Sequence, residues 1–147
     1  MRDTKNTIFL TNADLVSGLD LDAVLAMHRE RDADLTIVTH DERQQLPRGE
    51  VLCDFAGNVL AYHEKPTKVF RMSSGMYLME PGVLDLLAPN ETVHLSGLVA
   101  RIIDSDLSVF EFPHDDPWVD VNEPADLERA RALVDEDPTV FGLPPRA

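Results

Sequence analysis

The stretch that most constrains this chain is an apolar run that ends in a carboxylate and then gives way to a helix. Ile8, Phe9 and Leu10 lead into a polar turn, and "FLTNADL" (residues 9–15) carries Asp14 near its end. Residues 7–11 read as a short buried strand. Beyond Ser17-Gly18, "LDLDAVLAMHRERD" places Leu21, Val24, Leu25 and His28 at helical spacing. Asp20 or Asp22 suits its N-cap, and Arg29 and Arg31 suit its C-terminus. "DLTIVTH" then reads as another strand. Strand, helix and strand in this order point to an α/β sheet, where ligands collect beyond the carboxyl ends of strands. Asp14 is placed either to hold a metal there or to cap a turn.

The remaining chain keeps interleaving. "RGEVLCDFAGNVLAYHEKP" gives two strands joined by a turn containing Gly57-Asn58. "SSGMYLME" is a strand, Pro81 opens a short helix, and "LSGLVARIID" is a second short helix. "SVFEF" is a strand, and "PWVDVNEP" a β-like stretch that leads into the helix "EPADLERARALV". In that helix Pro124 sits in the first turn, with Leu127, Ala130 and Val134 on one stripe. The sequence predicts a mixed sheet flanked by helices, one domain over residues 1–134 and an irregular tail over 135–147.

Charge excludes whole classes of partner. A formal net charge of -14 argues against a nucleic-acid groove and against an anionic membrane surface. An anionic small molecule remains open where cations converge locally. Five of the 13 Lys and Arg lie close together: Arg43, Arg48, Lys65, Lys68 and Arg71. The single cysteine, Cys53, excludes an internal disulfide and a cysteine-rich zinc site, and its apolar run "EVLCDF" predicts a buried, inert thiol. No apolar stretch approaches a membrane span, and "MRDTKNT" is not a signal sequence, so the expected location is the cytoplasm.

Asp120 ends a β-like stretch just before a helix start, and Asp14 likewise stands at a strand end. Two acids at strand ends either share a divalent cation or act as caps and turn formers. Mg²⁺ takes one or two carboxylates together with substrate phosphates and waters. In "YHEKPT", Pro66 stops the strand and holds Glu64 and Lys65 at an edge or mouth. Lys65 suits a phosphate and Glu64 suits sugar hydroxyls; a surface ion pair at a turn is the other reading.

The ordered set "FLTNADL", "DLDLDAVLAMHRERDADLTI", "GEVLCDFAGNVLAYHEKPT", "SSGMYLMEPGVLDLL" and "PWVDVNEPADLERA" resembles the sugar-1-phosphate nucleotidyltransferases over roughly residues 7–134. Mannose-1-phosphate guanylyltransferase-like and glucose-1-phosphate thymidylyltransferase-like members are the nearest in pattern. The resemblance implies a partial Rossmann-like sheet of the nucleotide-diphospho-sugar transferase type. It implies Mg²⁺ held by Asp14, in an Asn-Ala-Asp motif, and by Asp120, in a motif usually written Trp-x-Asp-Ile-Gly. It assigns Lys65 to the sugar phosphate and Glu64 to the sugar. Gly49, Ser73 and Gly75 fall on its sugar-facing positions. The implied ligands are a sugar 1-phosphate and a nucleotide sugar.

The sequence also departs from that pattern. The family's glycine-rich opening loop, which binds the nucleotide and supplies a catalytic arginine and lysine, has no match here. Asn122 replaces a usual glycine, Glu123 a small N-cap residue, Ser73 an asparagine and Gly97 an acid. Two functions are therefore expected as alternatives. One is the sugar-phosphate and metal portion of a nucleotidyltransferase, truncated relative to the family and inactive alone. The other is a non-catalytic sugar-phosphate or nucleotide-sugar binding or regulatory module. Without the family's first strand, residues 8–12 should present an open sheet edge to a complementing nucleotide-binding chain or to self-association.

Overall fold

The computed structural model describes residues 6–145. Most of the polar lead-in read over residues 1–7 lies outside them. The chain forms two compact units: residues 40–72, and the segments before and after them.

The larger unit holds a four-stranded sheet. Its strands are β1 (Ile8–Thr11), β3 (Leu35–Gln45), β6 (Thr67–Met79) and β7 (Val109–Pro113), in the order β1-β6-β3-β7. β1 pairs antiparallel to β6, with Ile8 opposite Met79 and Thr11 opposite Met76, whereas β3 and β7 are parallel. The sheet is thus mixed, as expected. β3 and β6 are longer than the sequence predicts and both run on into residues 40–72. Charged residues such as Asp41, Glu42, Lys68 and Arg71 hide their strand character in the sequence.

Period-2 alternation sends successive side chains to opposite faces of a strand, and this sheet is covered on both. On one face Leu35 and Met79 join Val83, Leu98 and Ile102 in a buried cluster. The last two come from helix α2 (Leu95–Ile103), and Val83 from the 3₁₀ turn Pro81–Leu86. On the other face Val38, Met76 and Leu78 pack with Val24 of helix α1 (Leu21–Glu30). Asp20 is the N-cap of α1, its Oδ1 accepting from the backbone N–H groups of Asp22 and Ala23.

His28 occupies a helical core position yet is polar. It is satisfied there: Nδ1 lies 2.8 Å from Thr36 Oγ1, and Nε2 3.2 Å from Glu80 Oε1. Thr7 donates to the same Glu80 oxygen at 2.9 Å, which ties the start of β1 to the end of β6. These bonds remove the cost of burying an imidazole and a carboxylate in the core.

The short strand β2 (Leu15–Ser17) pairs antiparallel with β8 (Trp118–Asp120). Three residues are too few for a sequence pattern to reveal, so β2 was not expected. Helix α3 (Pro124–Glu136) follows β8, and a 3₁₀ turn, Pro138–Phe141, follows α3. Among the described residues no strand pairs with the outer edge of β1, so the strand read as buried is an exposed edge, with Phe9 41% and Leu10 39% exposed. Beside them lies a cavity of about 320 Å³ lined by Phe9, Leu21, Leu25, Arg29 and Leu78.

The smaller unit contains the hairpin of β4 (Glu50–Cys53) and β5 (Val59–His63). The register shifts between Leu52 and Cys53, opposite Ala61 and Val59, so Leu60 has no partner on β4. Asp54 closes the connection. Its carboxylate accepts from the N–H groups of Ala56 and Asn58 and from the Asn58 side chain, which lowers its pKa. Gly57, at φ +87°, supplies the left-handed residue of the turn. The expected turn is therefore present, built around Asp54. Cys53 is exposed, in contrast to the buried thiol read from its apolar run, because the smaller unit contributes no apolar residue to the buried core.

Candidate functional site

The two acids lie at the same end of the β2–β8 pair. Asp14 sits in the turn just before β2, and Asp120 ends β8. Leu15 is opposite Asp120 in the β2–β8 register, and the Asp14 carbonyl accepts from the Val121 N–H at 2.9 Å. Asp14 is exposed. Asp120 Oδ1 is buried and has no hydrogen-bond partner among the described residues. The turn after β8 is held by Asp126, whose Oδ2 accepts from the N–H groups of Asn122 and Glu123. That bond gives the unusual Asn122-Glu123 sequence a defined entry into α3.

Gly75 and Ser73 belong to the same unit. Gly75 has φ +74° and its carbonyl accepts from the Asn12 N–H at 3.0 Å. A Cβ there would stand 2.8 Å from Asn12 Nδ2 and 3.2 Å from Leu15 Cδ1. Glycine is required at this position both by conformation and by the approach of the Asp14 turn. Ser73 Oγ lies 2.7 Å from the Tyr77 hydroxyl and accepts from the Gly75 N–H at 3.3 Å. Between them Ser74 is fully buried. Its carbonyl accepts from Trp118 Nε1 at 3.0 Å, and its hydroxyl lies 2.9 Å from His114 Nε2. Trp118 and Ser74 thus fasten the strand of Ser73 and Gly75 to the strand that delivers Asp120. Sequence reasoning missed Asn12, Ser74, His114 and Trp118 as positioning residues. Their roles arise from contacts between distant segments, and only the "PWVD" context of Trp118 carried a signal.

Within residues 40–72, Tyr62 links Gly49 to Glu64, and Lys65 follows Glu64 in the chain. The Tyr62 ring lies directly on Gly49, where an added Cβ would be 2.1 Å from the phenolic oxygen. The Tyr62 hydroxyl donates to Glu64 Oε2 at 2.8 Å, so the carboxylate is oriented from its own strand end. Lys65 has φ +45°, a strained conformation for a residue with a side chain. Two of the other four cations of this unit are engaged. Lys68 pairs with Glu50 at 2.6 Å, which pulls the Glu50 pKa down, and Arg71 pairs with Asp41. No ion pair forms at Lys65 among the described residues.

Among the described residues there is no cluster of three or more His, Cys, Asp or Glu able to cage a metal. Two carboxylates such as those of Asp14 and Asp120 could hold a cation only with phosphates and waters completing its shell, the usual setting for Mg²⁺.

A mixed sheet covered by helices on both faces makes this an α/β domain, and the chain belongs to the nucleotidyl transferase family, whose model matches residues 1–137. Among curated proteins it is 31% identical over 132 residues to UTP–glucose-1-phosphate uridylyltransferase of Synechocystis sp., covering 85% of this chain and 34% of that one. It is 29% identical over 133 residues to mannose-1-phosphate guanylyltransferase of Mycobacterium tuberculosis, covering 86% and 36%. The chain therefore spans about a third of the length of these relatives. Solved structures share the fold. A Bacillus anthracis protein designated a glucose-1-phosphate thymidylyltransferase superposes with a TM-score of 0.62 at 12% identity, over 97% of this chain and 57% of that one. HddC from Yersinia pseudotuberculosis superposes at 0.59 with 16% identity, over 86% and 55%. Among the described residues no helix is long and apolar enough to cross a membrane.

Proposed function

We propose that residues 1–134 form the C-terminal, sugar-phosphate- and metal-binding portion of a domain that transfers a nucleotidyl group from a nucleoside triphosphate to a sugar 1-phosphate. In that reaction a phosphate oxygen of the sugar 1-phosphate attacks the α-phosphorus. The bond from the α-phosphorus to the bridging oxygen of the β-phosphate breaks, and pyrophosphate leaves with its electrons. Such transfers rest on positioning and charge neutralisation.

The observation that carries this reading is the buried, unpartnered Asp120 Oδ1 one register step from Asp14. A buried carboxylate oxygen without a donor is costly unless a cation or ligand satisfies it. Asp14 and Asp120 are the residues that would hold Mg²⁺. When bound, Mg²⁺ would neutralise charge on the α-phosphate. Lys65 would bind the sugar phosphate, supplying local positive charge in a chain of net charge -14. Glu64 would accept from sugar hydroxyls in an orientation set by Tyr62. Gly49, Ser73 and Gly75 would line the sugar, the two glycines admitting Tyr62 and Asn12 close to the backbone there.

The nucleotide-cradling loop would come from polypeptide outside these 147 residues, docking at the open edge of β1. The test is calorimetry with a panel of sugar 1-phosphates and nucleotide sugars, with and without Mg²⁺. Mg²⁺-dependent binding of a sugar 1-phosphate supports the reading. Binding that ignores Mg²⁺ and survives Asp14→Asn would instead mark a non-catalytic binding module.

A further inference from the structure

Tyr62 stands between two residues assigned above to the sugar, and the hairpin register explains why. Glu50 is opposite His63, and Val51 is opposite Tyr62. Opposed residues share a face, and successive residues alternate between faces. One step further along the same register, Gly49 and Glu64 fall on the face of Val51 and Tyr62. Glu50 and His63 fall on the other face, where Glu50 pairs with Lys68.

Gly49 has no side chain, and the outer end of the Tyr62 ring fills the space. A Cβ at Gly49 would stand 2.1 Å from the phenolic oxygen, 2.4 Å from Cζ and 2.9 Å from Cε2. The hydroxyl donates to Glu64 Oε2 at 2.8 Å. The ring is therefore held by the Gly49 backbone beneath it and by Glu64 at its tip. It is nevertheless 62% exposed. A side chain already restrained loses little conformational freedom when a ligand settles on it.

A restrained, open ring beside a carboxylate fits a particular ligand chemistry. A pyranose has an apolar C–H face and a rim of hydroxyl donors. The aromatic face can bury the first, and the carboxylate can accept from the second. Glu64 is exposed, and the Tyr62 hydroxyl occupies only its Oε2. Its Oε1 is left for the sugar rim. An acyclic phosphate ester has no flat C–H face to lay on the ring.

We infer that Tyr62 is a substrate-contacting platform on which the ring of a pyranosyl 1-phosphate lies, and that it makes the site prefer such a ring to an acyclic phosphate. This rests on the reading of Gly49, Glu64 and Lys65 given above, and adds to it a contact and a source of specificity.

Calorimetry of the 147-residue chain with Mg²⁺ tests this, using glucose 1-phosphate, mannose 1-phosphate and glycerol 3-phosphate. The parent should bind the sugar phosphates more tightly than glycerol 3-phosphate. Tyr62→Leu should weaken sugar phosphate binding about tenfold by removing the aromatic face. It should leave glycerol 3-phosphate unaffected, so the preference shrinks by the same factor. Tyr62→Phe keeps the ring and should cost about threefold, for the lost hydrogen bond to Glu64. Tyr62 is exposed, so the far-ultraviolet circular dichroism of both variants should match the parent. The chain has two tyrosines, so Tyr62→Phe assigns the Tyr62 ring signals in a ¹³C-tyrosine NMR spectrum. Those signals should move with the sugar phosphates and stay in place with glycerol 3-phosphate. If the parent binds neither sugar phosphate, the site reading falls and this inference falls with it. If the parent binds them in a Mg²⁺-dependent way, the site reading stands. Tyr62 ring signals that then stay in place, or a preference that survives Tyr62→Leu, would overturn the platform alone. Equal loss of all three ligands in Tyr62→Leu would overturn it too.

Discussion

The Asp14 carbonyl is bonded to the Val121 N–H, which fixes the turn that carries one acid against the end of the strand that carries the other. Asp120 Oδ1 meanwhile is buried without a donor. An unsatisfied buried polar atom costs about 1–3 kcal/mol. Asp120→Asn, whose neutral amide costs less to bury than a carboxylate, should therefore raise the unfolding free energy in metal-free buffer while abolishing Mg²⁺-dependent sugar 1-phosphate binding. Asp14→Asn, at an exposed position, should lose the same binding with stability unchanged. Chemical denaturation and calorimetry on both variants check this pair of outcomes. Unchanged Mg²⁺-dependent binding in either would remove it from the metal site.

Gly75 is held in the left-handed region against Asn12. Gly75→Ala adds a conformational cost of about 1–2 kcal/mol and drives a methyl into the Asn12 side chain. Its denaturation midpoint should fall. Adding Asn12→Ala should recover the steric part only, because the backbone conformation stays strained. Full recovery would mean that φ carries no cost at this position.

Much of this architecture was legible in the sequence. β1, α1, the hairpin and α3 each carry a local signature: an apolar run, a helical stripe with a cap, a Gly-Asn turn, a proline in the first turn. The mixed sheet followed from their order. What escaped was non-local. β2 is too short to show alternation. The extensions of β3 and β6 are written in charged residues that resemble a loop. His28 read as one member of an apolar stripe, and its pairing with Glu80 depends on contact across 52 positions of sequence. Asp14, Asp120 and Lys65 are candidates through the family resemblance, since their residue types alone fit caps and a surface ion pair equally well. Asn12, Ser74 and Trp118 act by holding segments together, and spacing contains no trace of that.

The loop before α2 is clamped to it by Arg101, which donates to both carboxylate oxygens of Glu91. These hydrogen bonds, with the Ala88 N–H, hold the Glu91 pKa at about 2 against an ordinary 4.5. A depressed carboxylate contributes stability above its unfolded pKa and loses it as pH falls toward its folded one. The contribution should be complete above pH 4.5 and gone near pH 2. Arg101→Ala should flatten stability across that window and leave the neutral-to-basic range with little slope change. The pair is exposed, so salt should shrink the effect. Urea titrations between pH 2 and 5, at low and high salt, measure it.

Lys65 combines a strained backbone with a cation that has no carboxylate partner among the described residues. The two features separate by substitution. Lys65→Gly relieves the positive φ and should be at least as stable as the parent, whereas Lys65→Ala keeps the strain. Both should weaken sugar 1-phosphate binding, by roughly tenfold or more for a lost charge-assisted contact of about 1.5–3 kcal/mol. Affinity for the free sugar should change little. If the free sugar and its phosphate lose affinity equally, Lys65 does not read phosphate.

The outer edge of β1 is open among the described residues, with Phe9 and Leu10 exposed there and a cavity of about 320 Å³ lined in part by Phe9. An unpaired apolar edge is a template for another strand. In the reaction proposed here, the triphosphate needs a cradle of backbone N–H groups and cations, and no glycine-rich loop of that kind occurs in these 147 residues. The 147-residue chain should therefore bind a sugar 1-phosphate yet release no pyrophosphate when given a nucleoside triphosphate as well. Supplying a nucleotide-binding segment of the family should restore release, and Phe9→Glu should block that restoration while leaving sugar 1-phosphate binding in place. A coupled pyrophosphate assay decides the matter. Sustained turnover by the chain alone would mean that its own residues hold the triphosphate and that the β1 edge serves another purpose.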